Sequence, residues 1–128
     1  MNARKLFNEN VAIAGTTAVS METLLRNAGW GYIVDPVTNA IDTTQFSMDS
    51  FEGNGGSIKP AADIYVGHDE FVRNAAAAGP PRLYKGILVA SGTTFNLADY
   101  CRGIVDASRI WFYAAGGATT ADLVLDGF

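Results

Sequence analysis

Hydrophobic and polar residues alternate along most of this chain, most regularly in the C-terminal stretch 108–126. Successive side chains of a strand point to opposite faces, so this stretch predicts two strands joined by a loop at Gly116 and Gly117, a C-terminal hairpin. The residues predicted to share its apolar inner face are Ile110, Phe112, Leu123 and Leu125. Exposing them would cost roughly 1.5–3 kcal/mol apiece, so the register should be well fixed.

The opposite face of the same stretch is unusual, because it carries large aromatic residues where a monomer would place polar ones. Its first arm presents Arg109, Trp111 and Tyr113. Trp, Tyr and Arg are enriched at protein interfaces, which makes a subunit contact the first interpretation. Internal cover for a second sheet face and a sugar-binding platform remain open as alternatives. The aromatic residues that could take part are Trp30, Tyr65, Tyr84, Trp111 and Tyr113.

Shorter alternating runs elsewhere predict further strands. They cover residues 10–19 with a bend at Gly15, 30–35, 63–67, 86–90 and 94–97, with a strand or connector over 102–105. One segment has helical spacing instead, with Met21, Leu24, Leu25 and Ala28 recurring between a capping Ser20 and a terminating Gly29. It predicts a short helix over 21–28. A second helical turn is expected over 74–78, where Gly-Pro-Pro at 79–81 would end it.

This pattern favours an all-β fold, a single-domain antiparallel β-sandwich or jelly-roll-like architecture. We place the domain at 10–128 and an N-terminal arm at 1–9. The arm contains Leu6 and Phe7, which are either part of a frayed terminus or dock on a neighbouring subunit. Residues 37–62 are predicted to form an excursion, either a β-hairpin or a contact loop, with a flexible turn at 53–56.

Composition narrows the functional classes. The chain has 128 residues, 48% of them hydrophobic, which suits one folded domain. Its net charge is −4 and its nine Lys and Arg residues form no basic stripe, which argues against nucleic acid binding. The first residues lack the apolar core of a signal peptide, and no run approaches the ~20 apolar residues of a membrane helix. We therefore expect a protein made in a cytoplasm, with no membrane partner.

Candidate chemistry is sparse. Cys101 is the single cysteine, so no intrachain disulfide or cysteine-based metal site is expected. The single histidine lies in the run His68-Asp69-Glu70, which suits zinc incompletely, and no Gly-x-Ser-x-Gly motif accompanies it. A solvated loop is the favoured interpretation, and a small hydrolase using His68 is the enzymatic alternative. We predict no catalytic residues, no cofactor and no metal.

The order of segments resembles a family of small structural proteins of tailed bacteriophages, the head decoration (cement) or head-fibre-base type. The likeness spans roughly residues 10–126. It rests on Ile-Tyr-Val-Gly at 64–67, Gly-x-x-x-Leu at 79–83, Gly-Thr-Thr-Phe-Asn-Leu at 92–97 and Ile-Trp-Phe-Tyr-Ala at 110–114. The stretch 37–56 is longer than the family's pattern.

The resemblance implies a non-enzymatic component of a phage particle, made in the host cytoplasm and located in the virion. Such a protein binds the outer surface of the capsid, with the major capsid protein or another virion protein as partner, and self-associates there, for example as a trimer. The residues that we predict at the interface are Leu6, Phe7, Trp30, Arg109, Trp111 and Tyr113. The alternative function is a glycan-binding β-sandwich module in which Trp30 or Trp111 stacks on sugar rings.

Overall fold

Antiparallel strands dominate the structure, a computed structural model. It describes residues 6–15, 17–46, 51–68, 72, 86–114 and 116–127. The strands in these ranges are β1 (Leu6–Ile13), β2 (Val19–Ser20), β3 (Tyr32–Val34), β4 (Ile41–Phe46), β5 (Glu52–Gly53), β6 (Gly55–Pro60), β7 (Ile64–Gly67), β8 (Ile87–Val89), β9 (Phe95–Asn96), β10 (Val105–Asp106), β11 (Trp111–Tyr113) and β12 (Thr119–Asp126). The helices are α1 (Met21–Asn27) and α2 (Leu97–Cys101), with a 3-10 turn at Ala107–Arg109. The prediction of an all-β fold is confirmed.

Two four-stranded sheets form the body of the protein. Sheet A has the strand order β1-β12-β6-β9, and sheet B has the order β2-β11-β7-β8. The longest ladder joins β1 to β12, from Leu6 opposite Asp126 to Ile13 opposite Thr119. Two further pairs stand apart, β5 with β10 and β3 with β4. All these pairings are antiparallel, as the alternating patterns predict.

The buried faces of both sheets contribute to one hydrophobic core, which also takes in the apolar sides of the helices. The fully buried side chains with the largest volumes include Ile13, Phe51, Ile58, Ile64, Val66, Leu97, Phe112, Leu123 and Leu125. The four residues predicted for the inner face of the C-terminal stretch are all buried, so the face assignment is confirmed. A shared core between two sheets is the arrangement of a β-sandwich.

The strand pairing of the C-terminal stretch was predicted wrongly. β11 pairs with β2 and β7 in sheet B, whereas β12 pairs with β1 and β6 in sheet A, so the two strands form no hairpin. Alternation fixes which side chains face the core, but it is satisfied equally by pairing within one sheet or across a sandwich. The connection through Gly116 and Gly117 therefore crosses between the sheets.

A second crossing explains the predicted bend at Gly15. The single strand expected over 10–19 is two strands, β1 in sheet A and β2 in sheet B, with Gly15 between them. A Cβ atom on Gly15 would lie 2.5 Å from the backbone nitrogen of Ala118. Only glycine allows the two crossing segments to approach this closely.

The predicted N-terminal arm and excursion also need correction. β1 begins at Leu6, so residues 6–9 belong to sheet A, and residues 1–5 lie outside the described ranges. The excursion predicted over 37–62 is not a separate hairpin, because its first strand, β4, pairs with β3, which precedes residue 37, and β6 is an inner strand of sheet A. The glycine-rich run 53–56, predicted as a turn, is mostly strand, because Gly53 ends β5 and Gly55 begins β6, with only a bend at Asn54 between them.

The helix predicted over 21–28 is confirmed as α1. Its N-terminus is capped by Ser20, whose Oγ accepts a hydrogen bond from the backbone N–H of Thr23 at 3.1 Å. The turn expected over 74–78 lies outside the described residues. Helix α2 was missed, because Leu97 was assigned to a returning strand. Asn96, which accepts from Ala98 and Asp99, is the capping signal that marks its start.

Candidate docking surface

The outer face of sheet B carries a row of large side chains that the strand register places side by side. Tyr113 on β11 lies opposite Tyr65 on β7, and Tyr65 lies opposite Leu88 on β8. Directly opposed residues in antiparallel strands have Cβ atoms about 4.5–5.5 Å apart, so three strands present one continuous apolar row. The neighbouring positions Phe112 and Val66 are buried, which fixes the row on the side of the sheet facing away from the core.

Trp111 lies on the same face of β11 as Tyr113, two residues before it. Its cross-strand partners are Ser20 on β2 and Gly67 on β7. Gly67 and Ser20 are both buried, so the sheet is covered on either side of the indole, and Trp111 itself is half-buried. We call Tyr65, Leu88, Trp111 and Tyr113 the aromatic face.

Part of the aromatic face is open to solvent. Leu88 is 54% exposed, although it lies in a strand, and the three aromatic residues are half-buried. A cavity of about 620 Å³ adjoins the face and is lined by Ala61, Ala62, Asp63, Tyr65, Leu88, Ser91 and Gly116. Its polar groups are held by local bonds, since Asp63 Oδ1 accepts from the backbone N–H of Ser91 at 2.8 Å. The surface is therefore apolar and has a polar, ordered rim.

The structure brings two of the six predicted interface residues together on this face, Trp111 and Tyr113. Arg109 does not join them, because it ends the 3-10 turn before β11 and is not on the sheet. Leu6 lies on β1 in sheet A and is 55% exposed. Leu6 and Arg109 are therefore exposed on other parts of the surface.

Phe7 and Trp30 serve the chain's own packing. Phe7 is only 3% exposed, and Trp30 packs against the core. Their ring centroids are 5.7 Å apart with an interplanar angle of 70°, an edge-to-face arrangement. This contact joins the start of sheet A to the segment after α1. In this fold Phe7 has no surface to offer a partner.

Leu88 was not predicted as a member of the aromatic face. Tyr65 was named only among the aromatic residues that could take part in an interface, without a position on a face. Leu88 lies within Ile-Leu-Val at 87–89, a run without polar alternation, so the sequence does not say which of its residues points outward. Tyr65, in contrast, alternates with the buried Ile64 and Val66. That alternation was the available signal. Tyr84 lies outside the described residues.

A second cleft holds the residue types of a nucleophilic site. It measures about 440 Å³ and is lined by His68, Cys101, Ile104, Asp106 and Arg109. Burial, and next the nearby Asp106 carboxylate, raise the pKa of the Cys101 thiol, the reverse of what a catalytic cysteine needs. His68 stacks on Tyr100 with ring centroids 4.6 Å apart. This geometry gives the cleft no activated nucleophile.

The described residues also offer neither a metal site nor a membrane-spanning helix. Among the described residues, no group of three or more His, Cys, Asp or Glu side chains could hold a metal ion. Asp69 and Glu70, which follow His68 in the sequence, lie outside those residues. No helix in the described ranges is long and apolar enough to cross a membrane.

Comparison with known proteins adds no relative. No model of a protein family, no curated protein and no solved structure matches the chain significantly. The resemblance to phage decoration proteins therefore stays a prediction. The aromatic face is the structural feature that bears on function.

Proposed function

We propose that this chain is a non-enzymatic structural component of a bacteriophage particle. It binds the outer surface of the capsid through the aromatic face of sheet B and self-associates there. The single observation that carries the proposal is the row Tyr113, Tyr65 and Leu88, which places large apolar side chains on the face of a sheet turned away from the core. The particle itself is inferred from the segment resemblance.

The physical chemistry of the face supports a protein partner. Flat, rigid Tyr and Trp side chains give a large contact area at a low cost in side-chain entropy, and such residues dominate the energetics of interfaces. The exposed Leu88 at the edge strand adds aliphatic surface that gains by burial. The net charge of −4 keeps the unbound protein soluble before it docks.

Two matched leucines allow a sharp test. Leu88 on sheet B and Leu6 on sheet A are 54% and 55% exposed, so Leu88→Asp and Leu6→Asp make the same chemical change at the same exposure on different surfaces. Particles assembled without this protein are incubated with purified wild type or with either variant. After sedimentation, the bound protein is quantified by gel densitometry. Circular dichroism confirms that each variant is folded.

The proposal predicts that Leu88→Asp binds particles at least about tenfold more weakly, because a buried unpaired carboxylate costs more than 1.4 kcal/mol. Leu6→Asp should bind as the wild type does. Binding of Leu88→Asp at the wild-type level, or loss of binding in Leu6→Asp alone, contradicts the assignment of the docking face. Failure of the wild type to bind any tailed-phage capsid surface contradicts the function.

The cavity beside the face supports a second candidate, a glycan-binding module. Tyr65 could stack on a sugar ring there, while Asp63 and Ser91 stand at the cavity wall. This function predicts a change in tryptophan fluorescence when cell-surface polysaccharide is titrated into the protein, through Trp111 on the same face. A flat titration up to millimolar sugar contradicts it.

A further inference from the structure

The β3–β4 hairpin is the most exposed apolar element in the described chain. Val34 and Ile41 lie directly opposite each other, and they are 48% and 59% exposed. Ile33 is also exposed, and Val37 at the tip is 88% exposed. In the described ranges, β3 and β4 pack mainly on each other and not on either four-stranded sheet. A lone two-stranded hairpin is marginally stable in water, so this one gains by being covered.

Local hydrogen bonds give the tip of the hairpin a fixed shape. Asp35 Oδ1 accepts from the backbone N–H groups of Val37 at 2.8 Å and Thr38 at 3.3 Å. The backbone of Asp35 also bonds to Asn39 and Ala40 across the turn. Pro36 restricts the backbone further. Val37 is therefore presented as an ordered apolar knob, which loses little entropy on binding.

The 440 Å³ cleft between α2, β10 and the 3-10 turn offers an aliphatic residue and an arginine, which suit an apolar, acidic hairpin tip. Its apolar lining residue Ile104 is 61% exposed, so the cleft offers an aliphatic contact that the chain's own core leaves uncovered. Arg109 lines the cleft, and the exposed Arg102 is two residues before Ile104. The cleft is large enough to receive a valine side chain.

The hairpin carries only negative charge, whereas the cleft has Arg109 in its wall and Arg102 beside it, together with one carboxylate, Asp106. The hairpin segment 32–46 contains Asp35 and Asp42 and no Lys or Arg. Asp35 accepts hydrogen bonds from the backbone N–H groups of Val37 and Thr38, and Asp42 accepts from the side chain and backbone of Thr44. These bonds lower the pKa of each carboxyl below its ordinary value, so both are negatively charged at neutral pH. The carboxylate in the cleft, Asp106, already accepts from the Oγ of Ser108 at 2.6 Å.

We propose that the Val37 hairpin of one copy docks into the Ile104 cleft of the next copy, with Asp35 and Asp42 facing Arg102 and Arg109. This inference rests on the proposed function, in which the protein self-associates on the particle, and it names the two surfaces that meet. Since the two surfaces differ, the contact is head-to-tail. Such a contact closes into a ring when its rotation permits and otherwise grows as a filament.

A mixing experiment tests the head-to-tail contact without any particle. Val37→Asp destroys the knob and leaves the cleft intact, whereas Ile104→Asp destroys the cleft and leaves the knob intact. Both positions are largely exposed, so both variants should fold. Leu6→Asp is the matched control, because it places the same charge on an exposed aliphatic position of sheet A. Sedimentation velocity measures the size of each species.

The proposal predicts an oligomer for the wild type and for Leu6→Asp at about 100 μM, a concentration that detects contacts with a Kd of that order. Each of the other variants alone should be a monomer. Their equimolar mixture should give a dimer and nothing larger, because only one intact knob and one intact cleft remain to meet.

Three results overturn this inference. They are a monomeric wild type, an unchanged oligomer in Val37→Asp or Ile104→Asp, and a mixture that stays monomeric. If Val37→Asp remains oligomeric yet no longer binds particles, the hairpin contacts the capsid and not a second copy. Because assembly is read in solution, its failure leaves the particle-binding test of Leu88→Asp standing, and the two proposals can fail separately.

Discussion

Phe112 and Tyr113 are neighbours on β11, and the account assigns them opposite roles, one in the core and one on the docking surface. Phe112 has no exposed surface and lies between Val19 and Val66 in sheet B. Replacing it with alanine should cost about 3–5 kcal/mol, the loss of buried apolar area plus the cavity that is left. Tyr113 is half-buried on the outer face, opposite Tyr65. Replacing it with alanine removes mainly this cross-strand pair, which is worth about 0.2–1 kcal/mol.

Urea unfolding followed by circular dichroism measures both losses. A slope of about 1–3 kcal/mol per M converts a 3 kcal/mol difference between the variants into midpoints that differ by about 1–3 M. We expect Phe112→Ala to unfold at much lower urea and Tyr113→Ala to stay near the wild type. If the two variants lose similar stability, the outer face of sheet B is part of the chain's own packing, and the reasoning behind the docking surface is refuted.

Three further predictions concern the fold and the cleft. Gly53→Ala should destabilise the protein by about 1–3 kcal/mol, because the new Cβ would lie 2.5 Å from the carbonyl oxygen of Asp126. At Gly116 a new Cβ would have open space, so Gly116→Ala should change thermal stability by less than about 0.5 kcal/mol. Equal effects of the two substitutions would contradict the close approach at Gly53. Ser20→Ala should cost about 1 kcal/mol by removing the cap of α1. An unchanged urea midpoint in this variant would contradict the capping role. The raised pKa of Cys101 predicts slow reaction with a disulfide reagent at pH 7 and a reaction rate that keeps rising past pH 9. A rate that levels off below pH 8 would show that the pKa of the thiol is not raised.

Side-chain alternation predicted the faces of the strands well and their partners poorly. Leu123 and Leu125 point inward as expected, but the strand that carries them pairs with the N-terminal strand and not with its neighbour in sequence. A period of two specifies only which side chains are buried. The choice of partner depends on contacts between residues more than 100 positions apart, such as Asn10 with Asp122, whose side chains are hydrogen-bonded at 2.9 Å.

The aromatic face was predicted only in part, again because alternation does not specify which strands pair. Trp111 and Tyr113 stand out as aromatic residues in an alternating strand, so one arm of the surface was visible in the sequence. Tyr65 and Leu88 join them only through the register of β7 with β11 and β8. The exposure of the apolar residues of the β3–β4 hairpin was not predicted from the sequence, because Ile33, Val34 and Ile41 are residue types typical of a core. Only the sheet topology shows that this hairpin lies apart from both larger sheets.

A density map of a phage particle carrying this protein tests the central claim most directly. Fitting the two four-stranded sheets into the map shows which face of the chain contacts the shell. The account predicts that Tyr65, Leu88, Trp111 and Tyr113 lie against capsid protein. A fit in which sheet B faces solvent, with sheet A or the β3–β4 hairpin on the shell, would contradict it.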